Sequence, residues 1–322
     1  MTTTILGLTR AELEEGARYV HETVSPTPQF SWPLLNERAG TEVWVKHENH
    51  TATGSFKVRG GLVNSREIRR RHPEAKGVIS ATRGNHGQSV AFAGRRTGMR
   101  SVIVVPHGNS REKNAAMRAW GAELIEHGRD YDEARVYAHQ LAAEQGLHYI
   151  GPFNREVVIG VGSYAMELFH AAKDLDEVYV PIGCGSGICG VIAWRDALGL
   201  KTRVVGVVSE NAPCYALSFE MGRPVETPSA NTFADGVAVR VPVPEALEAI
   251  LAGADRIAQV SDDEVKAAIR ELYRCTHNVA EGAGAAALAA LLKDQDRKGS
   301  RFAVILSGGN IDREMYLEAL GG

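Results

Sequence analysis

Cysteine, charge of one sign and long apolar runs are all scarce in this chain. Four cysteines in 322 residues, at 184, 189, 214 and 275, are too few and too irregularly spaced for a disulfide framework, and no CxxC pair suggests zinc. A reducing, cytoplasmic setting is expected. Lys+Arg 36 against Asp+Glu 39 leaves a net charge of −3, so no positive field draws in nucleic acid or an anionic membrane. Residues 1–7 lack a basic region and a long apolar stretch, and the apolar run 282–292 is too short to span a bilayer. Neither export nor membrane insertion is expected, and the partner is expected to be a small molecule.

With 44% hydrophobic and 23% charged residues the composition is that of a globular protein long enough for two ordinary domains. Short β-branched runs recur at 43–46, 78–80, 102–105, 124–126, 178–182, 204–208, 257–260 and 303–306, with helix-period segments between them. This alternation predicts an α/β fold with parallel sheets covered by helices. Thr9 with Glu12 and Ser261 with Glu264 predict capping boxes at two helix starts. Arg69, Arg70 and Arg71 read as the last turn of a helix, where cations complement the dipole.

The sharpest local signal is the glycine loop around Gly183-Cys184-Gly185-Ser186-Gly187, which follows an apolar run and precedes a helix expected over 191–200. Glycines let a backbone approach closely, and a helix start aims free N–H groups at one point, so a phosphate is the expected ligand. Two readings stay open here. Gly185, Gly187 and Gly190 also satisfy the GxGxxG fingerprint, and Glu210 stands 20 residues beyond Gly190, so an NAD-binding Rossmann oxidoreductase is the alternative.

Other segments favour the first reading. Ser55-Phe56-Lys57-Val58-Arg59-Gly60, following Thr53-Gly54, resembles the Schiff-base lysine motif of the pyridoxal-phosphate enzymes of fold type II, the group of threonine and serine dehydratases and serine racemase. Thr82-Arg83-Gly84-Asn85-His86 resembles their substrate-carboxylate loop. The loop 183–187 resembles their phosphate loop, and Ser307-Gly308-Gly309-Asn310 their terminal strand. Weaker agreements at Lys113, Asn154, Asp235-Gly236 and Glu281-Gly-Ala-Gly284 extend the resemblance over nearly the whole chain.

The resemblance implies pyridoxal 5′-phosphate in the cleft between two α/β domains with parallel-rich sheets. The large domain would comprise residues 1–76 and 152–322, and a small inserted substrate domain 77–151. No C-terminal regulatory domain is expected. Lys57 would be the catalytic lysine, holding the cofactor and then acting as base at Cα. Cofactor contacts would come from Phe56, Lys57, Asn85, Asn154, Gly183, Cys184, Gly185, Ser186, Gly187 and Ser307. Substrate contacts would come from Ser55, Thr82, Arg83, Gly84, Asn85 and His86. No metal is predicted, because Glu210 is the one recognisable acid of the cation site some relatives use.

The implied reaction is β-elimination from a β-hydroxy amino acid such as L-threonine or L-serine, giving a 2-oxo acid and ammonia, by a homodimer. A serine at the pyridine nitrogen, in place of an aspartate, disfavours a long-lived carbanion and favours loss of the β-substituent. Arg83 departs from the serine that racemases carry, and a guanidinium with a pKa above ~12 cannot serve as acid or base on the opposite face of Cα. Two orientations of Arg83 remain open. Turned inward it would suit a second carboxylate, as in 3-hydroxyaspartate; turned outward it would pair with an acid. Phenylserine is a further candidate substrate.

Overall fold

The computed structural model describes residues 5–294 and 301–321. Ten strands among the described residues form two sheets. β1 (Gln29–Ser31), β2 (Glu42–His47), β7 (Glu177–Pro181), β8 (Arg203–Ser209), β9 (Arg256–Val260) and β10 (Arg301–Leu306) make a six-stranded sheet in the order β1-β2-β10-β7-β8-β9. β3 (Val78–Ala81), β4 (Ser101–Val105), β5 (Glu123–Glu126) and β6 (His148–Tyr149) make a four-stranded sheet in the order β5-β4-β3-β6. All pairings are parallel except β1 with β2.

Fourteen α-helices among the described residues connect and cover these strands. Up to β3 they are α1 (Arg10–His21), α2 (Pro33–Ala39) and α3 (Lys57–Arg71). Around the four-stranded sheet lie α4 (Asn85–Thr97), α5 (Arg111–Ala119) and α6 (Tyr131–Gln145). The remainder are α7 (Arg155–Val161), α8 (Ser163–Ala171), α9 (Ser186–Ala197), α10 (Cys214–Met221), α11 (Pro244–Gly253), α12 (Asp262–Thr276), α13 (Gly282–Lys293) and α14 (Arg313–Leu320).

The inner strands β3, β4, β7, β8 and β10 are largely apolar because both faces of each sheet are covered there, whereas the edge strand β5 begins and ends in the exposed Glu123 and Glu126. Side chains alternate between two cores: along β10, Ala303 and Ile305 enter the core with α7, α8 and α9, while Phe302, Val304 and Leu306 enter the one with α12 and α13. β4 divides in the same way, Val102 and Val104 facing α6 and Ile103 and Val105 facing the opposite side. Burying each such valine or isoleucine stabilises the fold by about 1.5–3 kcal/mol. Both expected capping boxes are present, and Arg69, Arg70 and Arg71 close α3.

Three details differ from the sequence reading. β1 and β6 were not anticipated, being three and two residues long. The helix expected over 191–200 begins at Ser186, directly after Gly185. Gly185 takes φ +92°, a left-handed conformation that glycine adopts at no steric cost, and turns the chain from β7 into the helix.

Candidate active site

The segments that follow β7 and β10, together with α4, meet at Lys57. Thr51 ties the loop before it, its hydroxyl donating to the Ser55 carbonyl at 2.8 Å and accepting from the Ser55 N–H at 3.0 Å. The end of β10 then clamps this loop: Phe56 N–H donates to Ser307 O at 3.1 Å, Gly309 N–H donates to Gly54 O at 2.9 Å, and Ser55 bridges Gly308. Ser307 is thereby fixed beside the first turn of α3, whose first residue is Lys57.

The Lys57 amine donates to Ser186 Oγ at 3.4 Å and lies 4.9 Å from the Phe56 ring centroid. The residue keeps some accessible surface, yet desolvation is the largest influence on the amine and lowers its pKa, opposed by Cys184 and Glu281. A lysine in such a setting leans toward the neutral form that a base requires. The Cys184 thiol is raised by burial, with Lys57 acting in the opposite sense.

The loop 183–187 is built for close backbone approach. A Cβ on Gly183 would lie 2.2 Å from Gly236 O, and one on Gly185 2.6 Å from Ala246 Cβ. Gly187 is different, since a Cβ there would meet Tyr164 Oη at 3.4 Å and nothing closer. Gly190 serves packing, because its Cβ would lie 3.0 Å from the Gly162 backbone. The first N–H groups of α9 have no intrahelical acceptor and face the loop.

From the four-stranded sheet, Thr82 to His86 come to the same place. Thr82 Oγ1 accepts from Gly84 N–H at 3.1 Å, turning the chain into α4. Asn85 Nδ2 donates to Glu281 Oε1 at 2.6 Å, and Asn85 Oδ1 accepts from Asn310 Nδ2 at 2.8 Å. His86 is held neutral, its pKa pushed down to about 3 by burial first and by Lys57 second. Its Nε2 faces Ile150 O at 3.5 Å. Arg83 is exposed and makes no hydrogen bond or ion pair among the described residues, so the outward pairing with an acid is not formed. Asn154 acts as the N-cap of α7, accepting from Val157 N–H at 2.7 Å and donating to Asn64 Oδ1 at 2.9 Å.

Sequence reasoning did not assign roles to four neighbours of this site. Glu281 stands at the N-cap position of α13 without capping it through its side chain, and Lys113 on α5 pairs with Asp235 and stands 4.0 Å from Glu281 Oε2. Tyr131 and Tyr149 lie close enough to act on each other, and burial raises both hydroxyls. Each of these contacts joins segments far apart in the chain, which no local pattern reveals.

Comparison with known proteins places the geometry in context. The profile of the pyridoxal-phosphate dependent enzyme family matches residues 20–308. The chain is 35% identical over 310 residues to the biosynthetic L-threonine dehydratase IlvA of Salmonella typhimurium, covering 92% of this chain and 60% of that protein. It is 34% identical over 313 residues to the L-threonine ammonia-lyase of Thermotoga maritima, covering 96% of this chain and 77% of that one. Against the processed form of threonine deaminase isoform 2 from Solanum lycopersicum the TM-score is 0.89 at 30% identity, over 100% of this chain and 97% of the other. Maize serine racemase superposes with a TM-score of 0.90 at 25% identity, over 99% and 98%. The chain thus spans about three fifths of the length of the biosynthetic dehydratase it matches.

The residues present fit such a cofactor. Gly183 and Gly185 form a cradle that any Cβ would fill, α9 opens onto it, and a lysine amine of lowered pKa stands 3.4 Å from its serine. Ser55 Oγ, fully buried and without a protein partner, offers one more polar contact. The dinucleotide reading fails, since the strand order is not 3-2-1-4-5-6 and the family match covers residues 20–308, the glycine loop included.

Proposed function

The chain belongs to the pyridoxal-phosphate dependent enzyme family, and from that premise we propose that it eliminates water from a β-hydroxy amino acid, the released enamine then taking up water to give a 2-oxo acid and ammonia. The observation that carries this reading is the meeting of Lys57 with the loop 183–187, Nζ at 3.4 Å from Ser186 Oγ.

Pyridoxal phosphate supplies an electron sink for the bonds at Cα of a bound amino acid. In the proposed arrangement Lys57, Phe56, Asn85, Ser307 and the 183–187 backbone hold it, with Cys184 contributing its amide. Asn154 supports the site through the cap of α7. Ser55, Thr82, Gly84 and the backbone of His86 receive the substrate carboxylate.

Lys57 Nζ takes the proton from Cα, for which its lowered pKa suits it. The loop 183–187 orients the acid that protonates the departing hydroxyl. His86, neutral through burial, leaves a backbone and a ring N–H near the carboxylate without adding charge. Ser307 brings a hydroxyl and no carboxylate to the ring nitrogen, which favours elimination. Arg83 is too basic to donate a proton from the opposite face, so racemisation is expected to be weak.

The proposed division is a large unit of residues 1–76 and 152–322 and an inserted unit of 77–151. A homodimer in a reducing cytoplasm is part of the reading. Phe30 on the edge strand β1, Tyr273 and Val279 are exposed apolar groups, and Phe30 is linked through the His47–His50 ring pair and the His50–Asn278 hydrogen bond to the chain beside Val279; the four cysteines are free. Among the described residues no helix is long and apolar enough to cross a membrane.

The test is a visible spectrum of the purified protein followed by 2-oxo acid and ammonia assays with threonine, serine, 3-hydroxyaspartate and phenylserine. An imine band and stoichiometric oxo acid and ammonia from at least one substrate support the reading. A band with no product from any of them would refute the elimination, and no band even after adding pyridoxal phosphate would refute the cofactor site.

A further inference from the structure

We propose that Glu281 is a positioning residue for the cofactor ring: its carboxylate fixes which way round the Asn85 amide stands, so that Asn85 offers the ring an N–H and not a carbonyl. The inference rests on the pyridoxal-phosphate reading of the site. Nothing in the sequence pattern singles out this role, because 196 residues separate the two side chains.

The orientation follows from counting donors and acceptors. Asn310 Nδ2 donates to Thr53 O at 2.7 Å and to Asn85 Oδ1 at 2.8 Å, which uses both of its hydrogens. Asn85 Oδ1 is therefore held on the Asn310 side. Asn85 Nδ2 gives one hydrogen to Glu281 Oε1 at 2.6 Å and keeps one. Reversing the amide would set two NH₂ groups against each other at Asn310 and a carbonyl against a carboxylate at Glu281. Glu281 supplies the half of this lock that tells nitrogen from oxygen, since Oε1 accepts from an N–H and repels a carbonyl whether the proton is absent or sits on Oε2.

Glu281 is itself rigidly placed. It stands at the N-cap position of α13, its N–H donates to Gly308 O at 3.1 Å, and the residue is 2% exposed. Gly308 is required beside it, because a Cβ there would lie 2.6 Å from Glu281 Oε1. The charged groups facing the carboxylate are Lys113 from α5, Asp235 from the turn that follows residue 234, and Lys57 from α3.

Burial, helped by Asp235 and opposed by Lys113, Asn85 and Lys57, pushes the Glu281 carboxyl up to about 7. The oxygen free to take that proton is Oε2, which has no hydrogen-bond partner, whereas Oε1 is occupied by Asn85. The lock on Asn85 thus persists whether or not Glu281 is ionised. It also survives independently of the Lys113 ion pair, whose main partner is Asp235.

The experiment titrates pyridoxal phosphate into apoprotein of the wild type and of Glu281→Ala, Glu281→Gln, Asn85→Ala and the Asn85→Ala/Glu281→Ala double variant. Cofactor dissociation constant and imine absorption are recorded for each. Glu281→Ala is expected to weaken binding about tenfold and to displace the imine band, the effect of one lost hydrogen bond to a correctly placed donor. Glu281→Gln keeps an acceptor oxygen and should stay within about threefold with the band at its wild-type position. In the Asn85→Ala background, Glu281→Ala should add less than about twofold, because the two residues act as one unit.

Equal losses in the Gln and Ala variants would overturn the proposal, and so would additive losses in the double variant. If Glu281→Ala does not fold, the comparison of Glu281→Gln with Asn85→Ala carries the test, and a Gln variant as impaired as Asn85→Ala overturns it. Absence of any imine band in the wild type would instead refute the reading of the cofactor site.

Discussion

Arg59 Nη1 donates to Glu167 Oε1 at 2.6 Å in the interior, two residues after Lys57 on the same helix. The same guanidinium reaches Glu48 at 2.7 Å, while Lys46 and His21 close on Glu167. Arg59, Lys46 and Glu48 have no exposed surface. Removing one charge from such a set leaves the others buried and uncompensated. Glu167→Gln is expected to cost about 3–5 kcal/mol in denaturant unfolding, whereas a loss under about 1 kcal/mol would show that the network relaxes around the change. The Glu167 carboxyl is held down at about 2 by His21, Arg59 and Lys46 against the opposing effect of burial. A carboxylate depressed on folding contributes stability above its ordinary value of 4.5, and this contribution is lost as pH falls from there toward 2.

Glu281 has the opposite sign. Its carboxyl is raised from 4.5 to about 7, so the native state binds the proton more tightly than the unfolded chain. Its contribution to stability is full below pH 4.5, declines as pH rises from 4.5 to about 7, and is flat above. The stability difference between wild type and Glu281→Gln, measured by urea unfolding of the apoprotein across that range, should fall with pH in the same window. A pH-independent difference would contradict the raised value.

The two ends of the glycine loop should respond differently to alanine. Gly183→Ala places a methyl 2.2 Å from a backbone carbonyl, and such overpacking costs about 1–3 kcal/mol. Gly187→Ala, in the first turn of α9, meets only ordinary contacts with Tyr164, Phe56 and Val180, and replacing a helical glycine stabilises by about 0.5–1 kcal/mol. Apoprotein melting temperatures should therefore move in opposite directions. Equal losses would indicate that the loop is rigid at both ends.

Arg83→Ala is expected to leave stability within about 0.5 kcal/mol of wild type, since the side chain is exposed and unpaired among the described residues. If Arg83 receives a second carboxylate, kcat/KM for 3-hydroxyaspartate falls far more than for threonine. Equal losses on both substrates would remove that role.

Eight strands were legible because apolar runs of buried parallel sheets stand out from the helix-period segments between them. β1 and β6 were not, since Gln29-Phe-Ser31 and His148-Tyr149 are too short to carry a period. The early start of α9 was hidden by Gly187 and Gly190, which lower helix propensity; Gly190 is tolerated there because Gly162 packs against it. At the site, Lys57, Asn85 and Ser307 stood out through their motifs. Glu281 and Lys113 did not acquire a role from sequence, because their chemistry lies in contacts across the fold. Lys46 and Arg59 were visible as charges near a motif, but their common partner Glu167 is more than a hundred residues away.

The spacing of Lys57 and Arg59 also bears on how such a chain can change over generations. In the proposed reaction one residue carries the chemistry, and the other is enclosed by charges on which folding depends, yet they share a single helical turn. A descendant released from selection for turnover could replace Lys57 freely, while Arg59 would remain under selection for as long as the fold itself was useful. Lineages of this kind should therefore keep the arginine after the lysine has gone, and insertions between the two should be absent from functional and inactive descendants alike.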